Sequence, residues 1–163
     1  MIFINNNMKT FKEFLEELKI PEKLDNILKD MSKKSLGIPR NKMPQIKSDD
    51  VLEFLEWLSD FDIDYNKTKI SVNKLKPIQK DFNAEKILSM SNKNITFDKP
   101  VLISRDNYVL DGNHRFLSIY YKNSNNTITV FLINKDMSDI LKLANKFPKT
   151  TYKNINEENK NGS

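Results

Sequence analysis

The sequence predicts an α+β domain, in which a small mixed sheet carries helices on its faces. An apolar run at residues 101–103 is joined by a turn at 105–107 to a second apolar run at 108–110, the pattern of a β-hairpin. Aromatic and aliphatic residues at helical spacing follow at 116–120. Residues 127–133, TITVFLI, form an apolar, β-branched strand suited to the interior of a sheet. Strands and helices therefore share the second half of the chain.

The first third of the chain is predicted to contain a helical extension, residues 1–35. Apolar side chains recur at helical spacing over residues 8–34, and Pro21 divides them into a pair of helices. We expect this pair to cap the domain core, and a partner-binding arm is the alternative. Residues 35–48 contain one glycine and two prolines and are predicted to form a loop, either a packed connector or a segment that contacts phosphate.

A further helix is predicted over residues 48–60. Ser48 is a candidate N-cap, and Asp49 and Asp50 follow in the first turn, where carboxylates suit the positive end of the helix dipole. Trp57 lies beside the apolar face of this helix. We therefore expect it at the edge of the core rather than as a platform for stacking bases.

The main domain is predicted to span residues 36–147. Its first strand is the alternating stretch TKISVNKL, and a turn then leads into a short helix over residues 84–90. After the hairpin and the apolar strand, KDMSDILKLANKF predicts one more helix. Residues 148–163 lack apolar periodicity and are predicted to be a flexible tail.

Composition narrows the functional classes. The chain has 163 residues, a formal net charge of +5 and no cysteine. The lack of cysteine excludes disulfides, thiolate metal sites and a cysteine nucleophile. The positive charge permits an anionic partner, such as a nucleotide or a nucleic acid, without requiring one. No apolar run reaches membrane-spanning length, so we expect a cytoplasmic protein without a membrane partner.

Five polar residues are packed into the turn after the hairpin: Asp111, Gly112, Asn113, His114 and Arg115. At a helix N-terminus, unpaired backbone N–H groups and the helix dipole favour a phosphate. Gly112 lets the backbone approach an anion, Arg115 offers a planar fork to phosphate oxygens, and His114 can donate a hydrogen bond or move a proton near neutral pH. Structural alternatives also exist: Asp111 as a helix cap, His114 as a core residue and Arg115 as the partner of a structural acid.

Several motifs stand in a fixed order. A strand is followed by KLKPIQKDF, a short helix, a hairpin that begins at Pro100, and then VLDGNHR before the next helix. Over residues 68–143 this order resembles the ParB/sulfiredoxin superfamily. The turn is most similar to that of the free-serine kinases, which carry Asp-Gly-x-His-Arg, and the loop IPRNKMPQI resembles a segment of phage-encoded relatives.

The resemblance implies that the turn binds the phosphates of a nucleotide. Gly112, Asn113, His114 and Arg115 match the positions that hold the phosphate chain in this family, so the implied ligand is ATP, ADP or CTP. Asp111 would hold Mg²⁺, directly or through water, as phosphoryl chemistry usually requires.

Departures from the family separate its activities. Sulfiredoxin needs a cysteine where this chain has Asn113, and ParB carries Gly-Glu-Arg-Arg where this chain has Gly-Asn-His-Arg, so neither sulfinic-acid reduction nor chromosome partition is expected. Free-serine kinases use a glutamate base on the loop after the first strand. Gln79, an amide that cannot accept a proton, stands at the matching position and is grouped with the phosphate-binding residues. Asp81 and Glu85 are nearby acids that could supply the missing base.

Two functional classes remain open at this stage. The first is a Mg²⁺-dependent phosphotransferase or nucleotide hydrolase, which acts on a small hydroxyl-bearing substrate or on water, with Asp111, His114, Asp81 and Glu85 as candidate catalytic residues. The second is a non-catalytic module that uses bound nucleotide as a switch, or that binds nucleic acid or a protein partner. A ParB-like nuclease is disfavoured because the sequence lacks the clustered acids of a two-metal site.

Overall fold

A computed structural model describes residues 20–93 and 99–153 of the chain and confirms the α+β class. Within those residues it contains five α-helices and one five-stranded mixed sheet. The helices are α1 (Glu22–Lys34), α2 (Val51–Ser59), α3 (Ala84–Asn92), α4 (Asn113–Lys122) and α5 (Met137–Ala144). The strands are β1 (Tyr65–Ser71), β2 (Lys76–Pro77), β3 (Val101–Ser104), β4 (Tyr108–Asp111) and β5 (Thr127–Ile133).

The sheet has the strand order β1-β5-β3-β4-β2. The predicted hairpin is present as the antiparallel pair β3 and β4, while β3 and β5 run parallel. Strand β5 has neighbours on both sides, which confirms that TITVFLI lies inside the sheet. Strand β1 pairs only with β5 and forms an edge, and its first five residues are exposed. The half-buried alternation predicted for this strand is therefore wrong, because a sheet edge at that position buries only its last two residues.

Helices cover both faces of the sheet and build two core clusters. On one face, helices α2 and α5 bury Phe54, Leu58 and Ile140 together with Leu102 of β3. Trp57 is partly buried at the margin of this cluster, as predicted. On the other face, helices α1, α3 and α4 pack their apolar sides against β3, β4 and β5, with Leu24, Ile87, Val101, Val109 and Phe116 among the fully covered residues. Burial of apolar surface against this second face is what holds α3 and α4 in place beside the sheet.

Two predicted helix starts have different outcomes. Helix α1 begins at Glu22, immediately after Pro21, as expected where a proline starts a new helix. The first helix of the predicted pair falls on residues 8–19, which lie outside the described residues. Ser48 does not cap α2, because residues Ser48–Asp50 form a separate 3₁₀ turn and the α-helix begins only at Val51.

The segment after α5 stays attached to the domain. Gln45 and Thr151 exchange two backbone hydrogen bonds of 2.8 and 3.1 Å as an isolated antiparallel bridge. The ammonium of Lys149 lies 2.5 Å from the carboxylate of Glu53 on α2. The chain predicted to loosen at Pro148 is thus held as far as Thr151, and residues 154–163 lie outside the described part.

Within the two described stretches of chain, no helix combines the length and the apolar composition needed to traverse a bilayer.

Candidate functional site

Gly112 joins β4 to α4 in a single residue. Its φ of +100° and ψ of 23° lie in the left-handed region, where glycine is the residue of choice. A Cβ at this position would lie 2.9 Å from Cγ2 of Val101 and 3.0 Å from Nη2 of Arg115. Because this one glycine completes the turn, α4 begins at Asn113, and the residues predicted to form a five-residue turn lie mostly in the first turn of the helix.

The N-terminus of α4 carries backbone donors without intrahelical acceptors. The first bond of the helix runs from the N–H of Phe116 to the carbonyl of Gly112, at 3.0 Å. The N–H groups of residues 113–115 precede it, and Gly112 has no side chain with which to cap them. These donors and the helix dipole create a partial positive charge at this point.

A cleft of about 140 Å³ opens beside the N-terminus of α4. Three cationic side chains line it, Lys86 from α3, Arg115 from α4 and Lys153 from the C-terminal segment. Among the described residues that line it, Asp111 is the single carboxylate. The remaining lining residues are Met43, Gln45, Gln79, Met90, Leu110, Gly112, Asn113 and His114. The balance of charge in the lining is therefore positive.

Asp111 and Arg115 form an ion pair at this cleft. The guanidinium Nη2 of Arg115 lies 3.2 Å from Oδ2 of Asp111, and its Nη1 donates to the carbonyl of Lys99 at 3.0 Å. Burial raises the pKa of Asp111, while Arg115 and the Gly112 N–H act against that rise. Arg115 is thus the partner of a structural acid, which was the alternative to a phosphate contact. These bonds use two of its five N–H donors, and the side chain also lines the cleft.

His114 is buried and accepts a hydrogen bond. Its Nε2 atom receives the backbone N–H of Asn83, the residue that precedes α3, at 3.1 Å. Burial, with a smaller contribution from the charges of Lys86, Arg40 and Lys153, lowers the pKa of His114 to about 3. The imidazole is therefore neutral at pH 7, which argues against the proton transfer near neutral pH expected from the sequence.

Asn113 is directed toward the strand as well as the cleft. Only 3% of the residue is exposed, and its Nδ2 donates to the carbonyl of Val109 at 3.3 Å. Its Oδ1 is buried and has no hydrogen-bond partner among the described residues. An unpaired buried acceptor is uncommon in native proteins, and a water or ligand donor is the usual explanation.

Gln79 lines the cleft, whereas the two neighbouring acids do not. The amide of Gln79 is almost fully buried, and its Nε2 donates to the carbonyl of Asp81 at 2.7 Å. Asp81 and Glu85 are both exposed and are not part of the lining. The structure therefore gathers Gln79 and residues 111–115 around one cleft and leaves both candidate bases outside it.

The sequence analysis missed six residues of the cleft: Met43, Gln45, Lys86, Met90, Leu110 and Lys153. Met43 and Gln45 come from the predicted loop, for which contact with a phosphate was one of two alternatives. Lys86 lies in the first turn of α3, and Lys153 comes from the segment predicted to be a tail. Asn83 is a typical N-cap residue, and from it the position of Lys86 in the first turn of α3 could have been predicted. No pattern in the sequence marks Lys153.

The described lining of the cleft offers few side chains that could bind a metal ion. No group of three or more His, Cys, Asp or Glu side chains is placed to hold an ion within residues 20–93 and 99–153. Mg²⁺ is often bound by one or two carboxylates together with substrate phosphates and water. Asp111 fits that pattern as a single protein ligand.

No family model, no curated protein and no solved structure matches this chain. The resemblance to the ParB/sulfiredoxin superfamily accordingly stays a prediction that depends on the motifs alone.

Proposed function

We propose that the protein binds a nucleotide by its phosphates in the cleft beside α4 and, with Mg²⁺, transfers or hydrolyses the terminal phosphoryl group. One observation carries the proposal: a helix N-terminus without a side-chain cap opens into a cleft with three cationic residues in its lining. Backbone donors, a helix dipole and cationic side chains that meet in one place are the usual elements of a phosphate site.

The size of the cleft supports a phosphate as the group that enters it. Pockets that enclose a whole drug-sized ligand measure about 300–1,000 Å³. This cleft measures about 140 Å³, so it suits one or two phosphate groups and leaves the nucleoside outside. ATP, ADP and CTP share that part of their structure, and all three remain candidate ligands.

Asp111 is the residue on which catalysis would depend. As the single carboxylate in the described lining, it would hold Mg²⁺ together with phosphate oxygens, and Mg²⁺ would offset the negative charge of the phosphates. The acceptor in this proposal is water or a small hydroxyl-bearing molecule.

One observation favours a second candidate, a nucleotide-binding switch that performs no chemistry. The buried amide of Gln79 stands where the sequence resemblance places a base, and Asp81 and Glu85 lie outside the lining. In this case the bound nucleotide would control an interaction with a protein or a nucleic acid.

Binding and turnover measured side by side distinguish the two candidates. Calorimetry with ATP, ADP and CTP in the presence of Mg²⁺ measures affinity, and release of labelled phosphate measures turnover. Asp111→Asn should retain binding and lose turnover, because it keeps the shape of the side chain and removes the charge. Asp81→Asn, on an exposed acid outside the lining, is the matched control and should change neither quantity.

Each possible outcome favours one of the two candidates or excludes both. Turnover that depends on Asp111 supports the enzyme, and binding without turnover in the wild-type protein supports the switch. A wild-type protein that binds none of the three nucleotides at millimolar concentration would overturn both candidates.

A further inference from the structure

Two hydrogen bonds connect the start of α4 to the start of α3. The N–H of Asn83 donates to Nε2 of His114 at 3.1 Å. The Oδ1 atom of the same asparagine accepts the backbone N–H of Lys86 at 3.0 Å and caps α3. Asn83 is therefore held at its backbone by one helix while its side chain caps the other.

The bond to His114 specifies one form of the imidazole. Because Nε2 accepts a hydrogen bond, its lone pair is free of a proton, and the neutral ring carries its proton on Nδ1. His114 is 9% exposed, and its ring contacts the backbone at Asn83, the residue before α3. Burial favours this neutral form over the charged one.

The first turn of α3 brings Lys86 to the cleft. The Lys86 backbone is bonded to Asn83, and its side chain lines the same cleft as His114. The positive charge of Lys86 is also close enough to act on the imidazole. The backbone at Lys86, from which this exposed side chain extends, is therefore held by a short path that runs from His114 through Asn83.

We propose that His114 is a positioning residue, whose Nε2 atom holds Asn83 and thereby sets Lys86 at the phosphate-binding cleft. This inference rests on the proposed function, since it assigns Lys86 a contact with the bound phosphate. It differs from the direct role that the sequence resemblance implies, in which the histidine itself touches the phosphate chain.

Two isosteric substitutions separate the positioning role from a direct one. A glutamine carbonyl oxygen occupies about the place of Nε2, whereas an asparagine oxygen occupies about the place of Nδ1. His114→Gln should therefore keep the bond to Asn83, and His114→Asn should lose it. With Mg²⁺ and ATP as the probe, we expect His114→Gln to bind within about threefold of wild type and His114→Asn about tenfold more weakly.

A double-mutant cycle tests whether the effect passes through Lys86. Lys86→Met removes the ammonium, keeps most of the apolar stem and should itself weaken ATP binding about tenfold. If His114 acts by placing that ammonium, adding His114→Asn to Lys86→Met should cause no further loss. Additive losses would overturn the proposal, as would equal losses in His114→Gln and His114→Asn.

A measurement without ligand keeps this inference distinct from the proposed function. Long-range ¹H–¹⁵N NMR correlations of the imidazole should show the proton on Nδ1 of His114. Hydrogen exchange at the Asn83 amide should be slow in the wild type and in His114→Gln, and faster in His114→Asn. A proton found on Nε2, or an Asn83 amide that exchanges equally in all three proteins, would overturn the link even if ATP binds.

Absence of nucleotide binding leads to a different conclusion from absence of the hydrogen bond between His114 and Asn83. If the wild-type protein binds none of ATP, ADP and CTP, the proposed function and the role of Lys86 both fail, whatever the NMR measurements show. If His114→Asn does not fold, Asn83→Ala replaces it, because that variant removes the cap on the Lys86 N–H while leaving His114 in place. It should weaken ATP binding, and unchanged affinity would overturn the proposal.

Discussion

The carboxylate of Asp111 and the guanidinium of Arg115 lie 3.2 Å apart across the left-handed turn at Gly112. Their side chains are 25% and 20% exposed, so the ion pair is shielded from most of the solvent. Arg115 also bonds the carbonyl of Lys99, and the guanidinium packs over the α-carbon of the glycine. One side chain thus connects the end of β4, the start of α4 and the approach to β3.

We expect Arg115→Lys to destabilise the fold although it keeps the positive charge. An ammonium lacks the planar fork that reaches two acceptors at once, so either Asp111 or the Lys99 carbonyl loses its donor. The free energy of unfolding should fall by about 2 kcal/mol, measured by urea denaturation. The control is Arg105→Lys at the exposed pair with Asp136, where no measurable change is expected. Equal losses at the two arginines would contradict the importance of the shielded pair.

Gly112→Ala and Gly37→Ala form a matched pair of substitutions. Both glycines have positive φ, +100° and +72°, but a Cβ at Gly37 meets nothing within 4 Å, whereas at Gly112 it meets Val101 at 2.9 Å. Gly37→Ala should cost about 1 kcal/mol of stability, from the backbone conformation alone. Gly112→Ala should cost about 3 kcal/mol, because the clash adds to the same backbone cost.

Chemical denaturation of the two alanine variants measures both effects. If Gly112→Ala and Gly37→Ala lose the same stability, close packing at the start of α4 contributes nothing, and the backbone alone requires the glycine. Thermal unfolding followed by circular dichroism would show whether α4 remains formed in Gly112→Ala.

Stability should fall as the pH is lowered through the range where His114 differs between folded and unfolded chains. Burial lowers the pKa of His114 from its ordinary 6.5 to about 3, so between these values the unfolded chain binds one proton more than the folded protein. The contribution of His114 is therefore present above pH 6.5 and is lost as the pH falls toward 3. In that interval the expected slope is about 1.4 kcal/mol per pH unit.

Comparison with His114→Gln isolates this contribution. Asp111 has a raised pKa and acts with the opposite sign, because the folded state binds its proton more tightly and that stability is lost as the pH rises through the raised value. Urea unfolding at pH 7, 6 and 5 in both proteins removes the Asp111 contribution by subtraction. Parallel pH profiles for wild type and His114→Gln would contradict the buried, neutral histidine.

Ligand affinity should depend on the phosphates and little on the base. The cleft holds about 140 Å³, and no Phe, Tyr or Trp ring is among the described residues that line it. Tripolyphosphate should compete with ATP and with CTP at concentrations that agree within about tenfold, since neither base has a stacking partner in the cleft. Displacement of a fluorescent ATP analogue measures this. A strong preference for one base would show that recognition extends beyond the cleft.

Local patterns predicted the elements of the fold well. The hairpin of β3 and β4, the apolar strand β5 and the start of α1 after Pro21 each follow from a short sequence signal. Ser48 failed as a cap because one further 3₁₀ turn precedes α2, and choosing between the two turns depends on tertiary packing. Strand β1 failed in its alternation because an edge position is a property of the sheet, which no single strand reveals.

The site was predictable where its residues are adjacent in sequence. Asp111 and Arg115 were found because one short polar motif carries both, but Asp111 ends β4 and Arg115 lies in α4, so only the structure shows their ion pair. Lys153 was not, because it reaches the cleft through the pairing of Thr151 with Gln45, a contact between distant segments that lack periodicity. The sequence predicted that His114 lies at the cleft, but it did not predict the hydrogen bond that His114 accepts. Only the fold places the Asn83 N–H against its ring.

The bridge between Gln45 and Thr151 also sets an order of events during protein synthesis. Met43 and Gln45 leave the ribosome early, whereas Lys153 is added only after every strand of the sheet. A nascent chain that has already formed its hairpin and α4 still lacks one wall of the cleft. The lining of the cleft is therefore complete only after translation has passed residue 153.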